Sequence, residues 1–404
     1  MNVRTETKLV IIAFIVFASA VYIDHSSQQQ NTTVQSVASF NEVADQVKET
    51  CKDGNRQKVI SKETCYSLTL GNISFEKGHE YAFEVLSALQ KQDVDALGCH
   101  FIAHGIGHGA YKRNPQDAQH LITSINPTCG YGAPMGIIEL YTVGKLTDIE
   151  VLRGVCPEDK TPGDCNHIIG HILLVETHNK IEPALDLCNA FTNQNRRQNC
   201  MNGVFMENII GLNLAAHGYV NESQMKNWAA RLDSLEKLCR SHSGDNATAC
   251  WRELPHAAIA KFGRNATKVF DFCNSSNLSQ AAWLCKLHTI DILNAQSNFK
   301  ASSVMDMCAI KQPEPNFERT CYLQLVESEL VMDFPDKTPV IDYCNSLDES
   351  FKTDCFSKIG NTLRWRKAGE AVIQQLCSTA PEQYAEACVG SGGQSSTAVK
   401  SDIS

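Results

Sequence analysis

The chain has 404 residues, 43% of them hydrophobic and 20% charged, with a formal net charge of −9. No basic run exceeds the pair Arg196-Arg197, so the concentrated positive footprint that nucleic-acid binding needs is missing. Eighteen cysteines with no CxxC spacing exclude covalent haem and favour disulfides over cytosolic metal sites. Aromatic residues make up only 7%, and the apolar content comes mainly from Leu, Ile, Val and Ala, which predicts helices rather than sheets.

In chain order, Arg4 and Lys8 precede an uncharged run from Leu9 to Ile23, and Ala18-Ser19-Ala20 fits a signal-peptidase site. Fifteen apolar residues are short for a membrane span. Residues 1–23 therefore read as a cleaved signal peptide or an uncleaved signal-anchor holding the chain to a membrane. Both place the remainder outside the cytoplasm, secreted or anchored by that single segment. Residues 24–45, rich in Ser, Gln, Asn and Thr, read as a flexible spacer. Seven N-x-S/T sequons, at Asn31, Asn72, Asn221, Asn246, Asn265, Asn274 and Asn277, are compatible with a glycosylated surface. Residues 390–404 read as a disordered tail.

Between these ends the cysteines set a repeat. Cys65, Cys99, Cys129, Cys165, Cys200, Cys250, Cys285, Cys321, Cys355 and Cys388 recur at steps of 30–36 residues, apart from one step of 50. That step predicts an insertion between Gly211 and Leu235. A second set, Cys51, Cys156, Cys188, Cys239, Cys273, Cys308, Cys344 and Cys377, precedes members of the first by 9–14 residues. Each unit thus reads as a first helix ending in cysteine, a polar loop, and a second helix beginning at the next cysteine, with a disulfide across the loop. Cys99 and Cys129 have no upstream partner and by elimination are expected to pair with each other. The predicted fold is all-α, a solenoid of about ten disulfide-stapled antiparallel helix pairs, in blocks 46–215 and 216–389. In repeat length and helix-pair unit it resembles tetratricopeptide-like α-solenoids over about residues 45–390, a resemblance of architecture alone.

The second helices of the early units carry the candidate chemistry. His100, His104 and His108 lie four residues apart, as do His167 and His171, so each set shares one helical face. Glu139 and Glu207 interrupt otherwise apolar runs in the intervening and following units. Paired histidines at this spacing with nearby carboxylates predict a divalent transition-metal site for Zn, Fe, Mn or Cu. His104, His108, His167 and His171 are the expected primary ligands, with Glu139, Glu207 and His100 in support. The competing expectations are a buried hydrogen-bonded network and a bis-histidine haem site. Neither HGIGH nor HIIGH carries the glutamate of a zinc-protease motif. Seven glycines between Gly98 and Gly136 predict close backbone approach, to another helix or to a bound group.

In later units Glu253/His256, His288/Asp291, Gln324/Glu327 and Lys358/Asn361 fall three and six residues after the second-helix cysteine. This stripe reads as a solvated helix face ahead of a binding surface. No G-x-S-x-G elbow or phosphate loop is present, so nucleotide chemistry is not expected. The functional expectation is a metal-dependent hydrolase or oxidase. The alternative is a non-enzymatic extracytoplasmic scaffold binding protein or glycan partners on the solenoid surface.

Overall fold

The computed structural model describes residues 39–52, 62–93, 96, 99–125, 129, 131–142, 154–156, 164–211, 227–297, 300–331, 338–365 and 368–390. From Phe40 onward the described residues form one compact unit, helical throughout and without a strand. The apolar run Leu9–Ile23, Asn31, Asn221 and nearly all of the tail lie outside them. Among the described residues no helix is long and apolar enough to cross a membrane.

Helices alternate between two roles. First helices are α1 (Phe40–Cys51), α3 (His79–Gln92), α5 (Ala118–Ser124), α8 (Ile181–Cys188), α10 (Trp228–Ser241), α13 (Ala266–Asn274), α16 (Thr338–Ser346) and α18 (Glu370–Cys377). In the eighth unit two 3₁₀ turns, Ala301–Ser303 and Met305–Ala309, take that place. Second helices are α2 (Lys62–Lys77), α4 (His100–Arg113), α6 (Gly132–Thr142), α7 (Asp164–Glu176), α9 (Gln194–Ile210), α11 (Gly244–Glu253) continued by α12 (Pro255–Phe262), α14 (Ser279–Ala295), α15 (Phe317–Val331), α17 (Glu349–Trp365) and α19 (Glu382–Val389). The second helices pack in sequence, each on the next, from α2 to α19. Across residue 215, α9 packs directly on α11.

All nine expected disulfides are present, with no free cysteine. Eight close the loop within a unit, while Cys99–Cys129 ties the starts of α4 and α6 in successive units. Every cysteine is buried, so the staples double as core. Closing an 11-residue loop such as Cys344–Cys355 should contribute roughly 2.8 kcal/mol, and the 30-residue Cys99–Cys129 span roughly 3.5 kcal/mol, by restricting the unfolded chain. Nine intramolecular disulfides fit an oxidising, extracytoplasmic environment.

Local signals set the helix ends. Asn193 caps α9 by accepting from the backbone N–H groups of Asn195 and Arg196, and Gly211 ends it at φ 69°. Asn265 caps α13 through the N–H of Lys268. The first helix begins at Phe40, inside the expected spacer, because Val43, Ala44 and Val47 share a buried face. Of the described sequons, Asn274 is engaged through Nδ2 with Gln312, whereas Asn277 is exposed between α13 and α14.

The dense glycines resolve as helix-on-helix contacts. A Cβ on Gly105 would lie 1.9 Å from the Ser67 carbonyl oxygen, and one on Gly107 2.0 Å from that of Ala133. Helix α4 therefore meets α2 on one side and α6 on the other at backbone distance. Gly170 and Gly203 do the same for α7 and α9, at 2.0 Å from Cys200 O and 1.9 Å from His167 O. Hydroxyls reinforce the first contact, Ser67 donating to Phe101 O at 3.0 Å and Ser74 to Ile106 O at 2.8 Å.

Candidate metal centre

The five expected histidines form two sets, one at each of the two expected carboxylates. On α4, His100 Nδ1 faces the Cys129 carbonyl oxygen at 3.0 Å and its Nε2 faces His104 Nε2 at 3.3 Å. His104 Nδ1 approaches Glu139 Oε2 at 3.4 Å, and His108 Nε2 contacts the same oxygen at 2.9 Å. Burial alone would raise the Glu139 carboxyl, but His104 and His108 outweigh it and hold it well below the ordinary carboxylate range. On α7, His171 Nδ1 donates to Glu207 Oε2 at 2.9 Å, and its Nε2 faces His167 Nε2 at 3.1 Å. His104 and His108 thus meet on Glu139, and His171 meets Glu207.

The second set continues into the later units. His167 feels the charges of Glu253, Arg252 and His288, and burial followed by His171 holds it well below its ordinary value. Among the described residues, the one group of three ligand-type side chains with donor atoms all within 4.8 Å of each other is Glu253, His256 and His288. Its assembly has a local cause. Pro255 lacks the N–H that a continuous helix needs, so the second helix of this unit breaks at Leu254. Glu253 is the last residue of α11 and His256 the second of α12, and Leu254 between them keeps helical dihedrals. Their i, i+3 spacing therefore leaves both on the face that meets α14, which brings His288.

Glu253 is 0% exposed. Arg252 holds its Oε1. Its Oε2 makes no hydrogen bond, although His288 Nε2 lies at 3.2 Å and His256 Nε2 at 3.9 Å. The two imidazole Nε2 atoms are 3.2 Å apart. Burial pushes the Glu253 carboxyl up, but Arg252 and His288 together outweigh it and hold it well below the ordinary range. His256 is pushed down to about 3 by burial and then by His288. For His288, burial opposes the charged form but Glu253 outweighs it, so its value is raised. A buried carboxylate, an imidazole held neutral by burial and an imidazole whose charged form Glu253 favours therefore converge. A cation bound there would be drawn by the same carboxylate that favours the His288 proton, and its binding would displace that proton.

The later stripe is thus a ladder between helices along Glu253, His256, His288, Asp291, Gln324, Glu327 and Lys358, and an exposed face only at Asn361. Gln324 donates to Asp291 at 2.8 Å, and Lys358 to Glu327 at 2.6 Å. Each pairing joins the sixth residue after one cysteine to the third residue after the next unit's cysteine, as His256 and His288 do. That constant offset was the available signal for Glu253, His256 and His288. No protein-family model, curated protein or solved structure matches the chain.

Proposed function

We propose that this extracytoplasmic helical-repeat protein binds a divalent transition metal through Glu253, His256 and His288. The observation that carries this is the fully buried Glu253 Oε2, without a hydrogen-bond partner and faced by two imidazole nitrogens. Two histidines and one carboxylate are the donor set of hydrolytic zinc sites and of non-haem iron sites, both of which leave positions for water or substrate. Three protein ligands leave such positions here. A metal-activated water acting in hydrolysis is the reaction class this set supports best, with Glu253, His256 and His288 as ligands and Arg252 orienting the carboxylate.

The test is elemental analysis of the purified full chain after loading with Zn(II), Mn(II) or Fe(II), beside Glu253→Gln and His288→Ala, with circular dichroism to check the fold. The expected result is about one equivalent in the wild type and a loss of at least ten-fold in affinity in each folded variant. A wild type that retains no divalent ion, with both variants only lowering the melting temperature, overturns the proposal in favour of a structural network on a binding scaffold.

A further inference from the structure

We propose that His167, His171 and Met206 form a second site, adjacent to the first, that takes monovalent copper. His167 Nε2 stands at its centre, 3.1 Å from His171 Nε2 and 3.2 Å from Met206 Sδ. Those separations suit neighbouring ligands of one ion with bonds of about 2.0–2.3 Å. A methionine in an ordinary core packs its sulfur against carbon. Here the thioether faces a ring nitrogen.

Three features of the fold prepare the set. Gly203 lets α9 approach α7 at backbone distance, since a Cβ there would lie 1.9 Å from His167 O. Met206 stands one turn further along the same face and so reaches His167. Glu207, buried beside it, accepts the Nδ1–H of His171 at 2.9 Å. That hydrogen bond fixes the tautomer whose Nε2 lone pair points at His167, the outer-shell arrangement found behind metal-bound imidazoles. In the metal-free protein the His167 Nε2–H can bridge the two rings. Copper would bind that nitrogen as the proton passes to His167 Nδ1, leaving a neutral imidazole.

The donor chemistry selects the ion. Thioether and imidazole favour Cu(I), whereas the carboxylate and imidazoles of Glu253, His256 and His288 favour harder divalent ions. Every cysteine is committed to a disulfide, so no thiolate competes for copper. A monovalent ion also costs less to bury than a divalent one. The two sites would sort metals by softness across one shared cluster, and copper binding does not require the neighbouring site to be filled.

The experiment is an anaerobic titration of the full chain with Cu(I) held by bicinchoninate, with ascorbate as reductant so that the disulfides stay intact. Met206→Leu, close in shape to methionine, should lower Cu(I) affinity at least ten-fold while divalent binding at Glu253/His256/His288 persists. Glu253→Gln should show the reverse pattern, which separates failure of this site from failure of the other. X-ray absorption of the copper-loaded wild type should show one sulfur scatterer at about 2.3 Å, a readout independent of any variant's folding. Unchanged Cu(I) affinity in Met206→Leu, or a copper shell of nitrogen and oxygen only, overturns the proposal.

Discussion

Among the earlier second helices, α2 to α6 and then α7 to α9 touch backbone to backbone through glycine, while α11 to α17 meet through side chains. Gly360 of α17 then again approaches a backbone oxygen, Cys388 O beside it on α19. In the earlier region Gly105, Gly107, Gly136, Gly170 and Gly203 each face a neighbouring carbonyl oxygen. In the later region Glu253–His288, Asp291–Gln324 and Glu327–Lys358 bridge adjoining helices. The same disulfide frame therefore supports two modes of helix association. One depends on the absence of a side chain, and tolerates none. The other depends on pairs, each of which can be lost singly. Both candidate metal sites lie where the two modes meet, on α7, α9, α11, α12 and α14.

The largest way to break the comparison is to add a methyl group in the earlier region. Gly203→Ala places a Cβ 1.9 Å from His167 O. Backbone must move to relieve it, so the loss should reach about 3 kcal/mol or more, measured by chemical denaturation. Gly369→Ser is the control, because a Cβ there meets nothing within 4 Å and serine caps α18 well. An equal loss in both would show that close approach is not what matters.

A middle-sized effect tests the later region, where buried side chains bring titration with them. Burial raises Glu329 on α15 to about 7 against the Ala301 N–H that holds it down. Its Oε2 has no hydrogen-bond partner. The folded state therefore keeps this proton at pH values where the unfolded chain has lost it. Its contribution is present below the ordinary carboxylate range and is lost as pH rises toward 7. Glu329→Gln should stabilise the protein at pH 8 by about 1–2 kcal/mol after allowance for solvent screening, with little effect at pH 4. Melting temperatures at the two pH values decide it, and an equal shift at both would remove Glu329 as the cause.

The smallest effect sharpens the comparison from the other side. Glu327 and Lys358 are each about one-third exposed, at 35% and 32%, so Lys358→Ala should cost about 0.5 kcal/mol. A loss several times larger in denaturant midpoint would mean that the ladder acts as a cooperative network.

Much of this was legible in the residues themselves. Cysteine spacing is a local quantity, and it sufficed to identify the helix pairs, all nine disulfides and the exceptional Cys99–Cys129 link. Glycine density likewise predicted backbone approach, and the structure identifies neighbouring helices as what is approached. The spacing of His100, His104, His108, His167 and His171 showed which of them share a face. It did not show which partner each face would meet. Glu139 takes one set, and Glu207 with the residues around Glu253 takes the other.

What sequence determined is what acts within a unit: helix period, caps, loop staples and the Pro255 break. What tertiary structure decided is which side of each helix faces its neighbour. The +3/+6 stripe has the same period whether it faces water or protein, so the sequence could not distinguish a solvated face from a seam. Packing of α11, α12 and α14 buries Glu253 between histidines 32 residues apart. Arg252 pairs with one oxygen of that carboxylate, and the other is left buried between the two imidazoles without a hydrogen bond, which makes the cluster chemically significant.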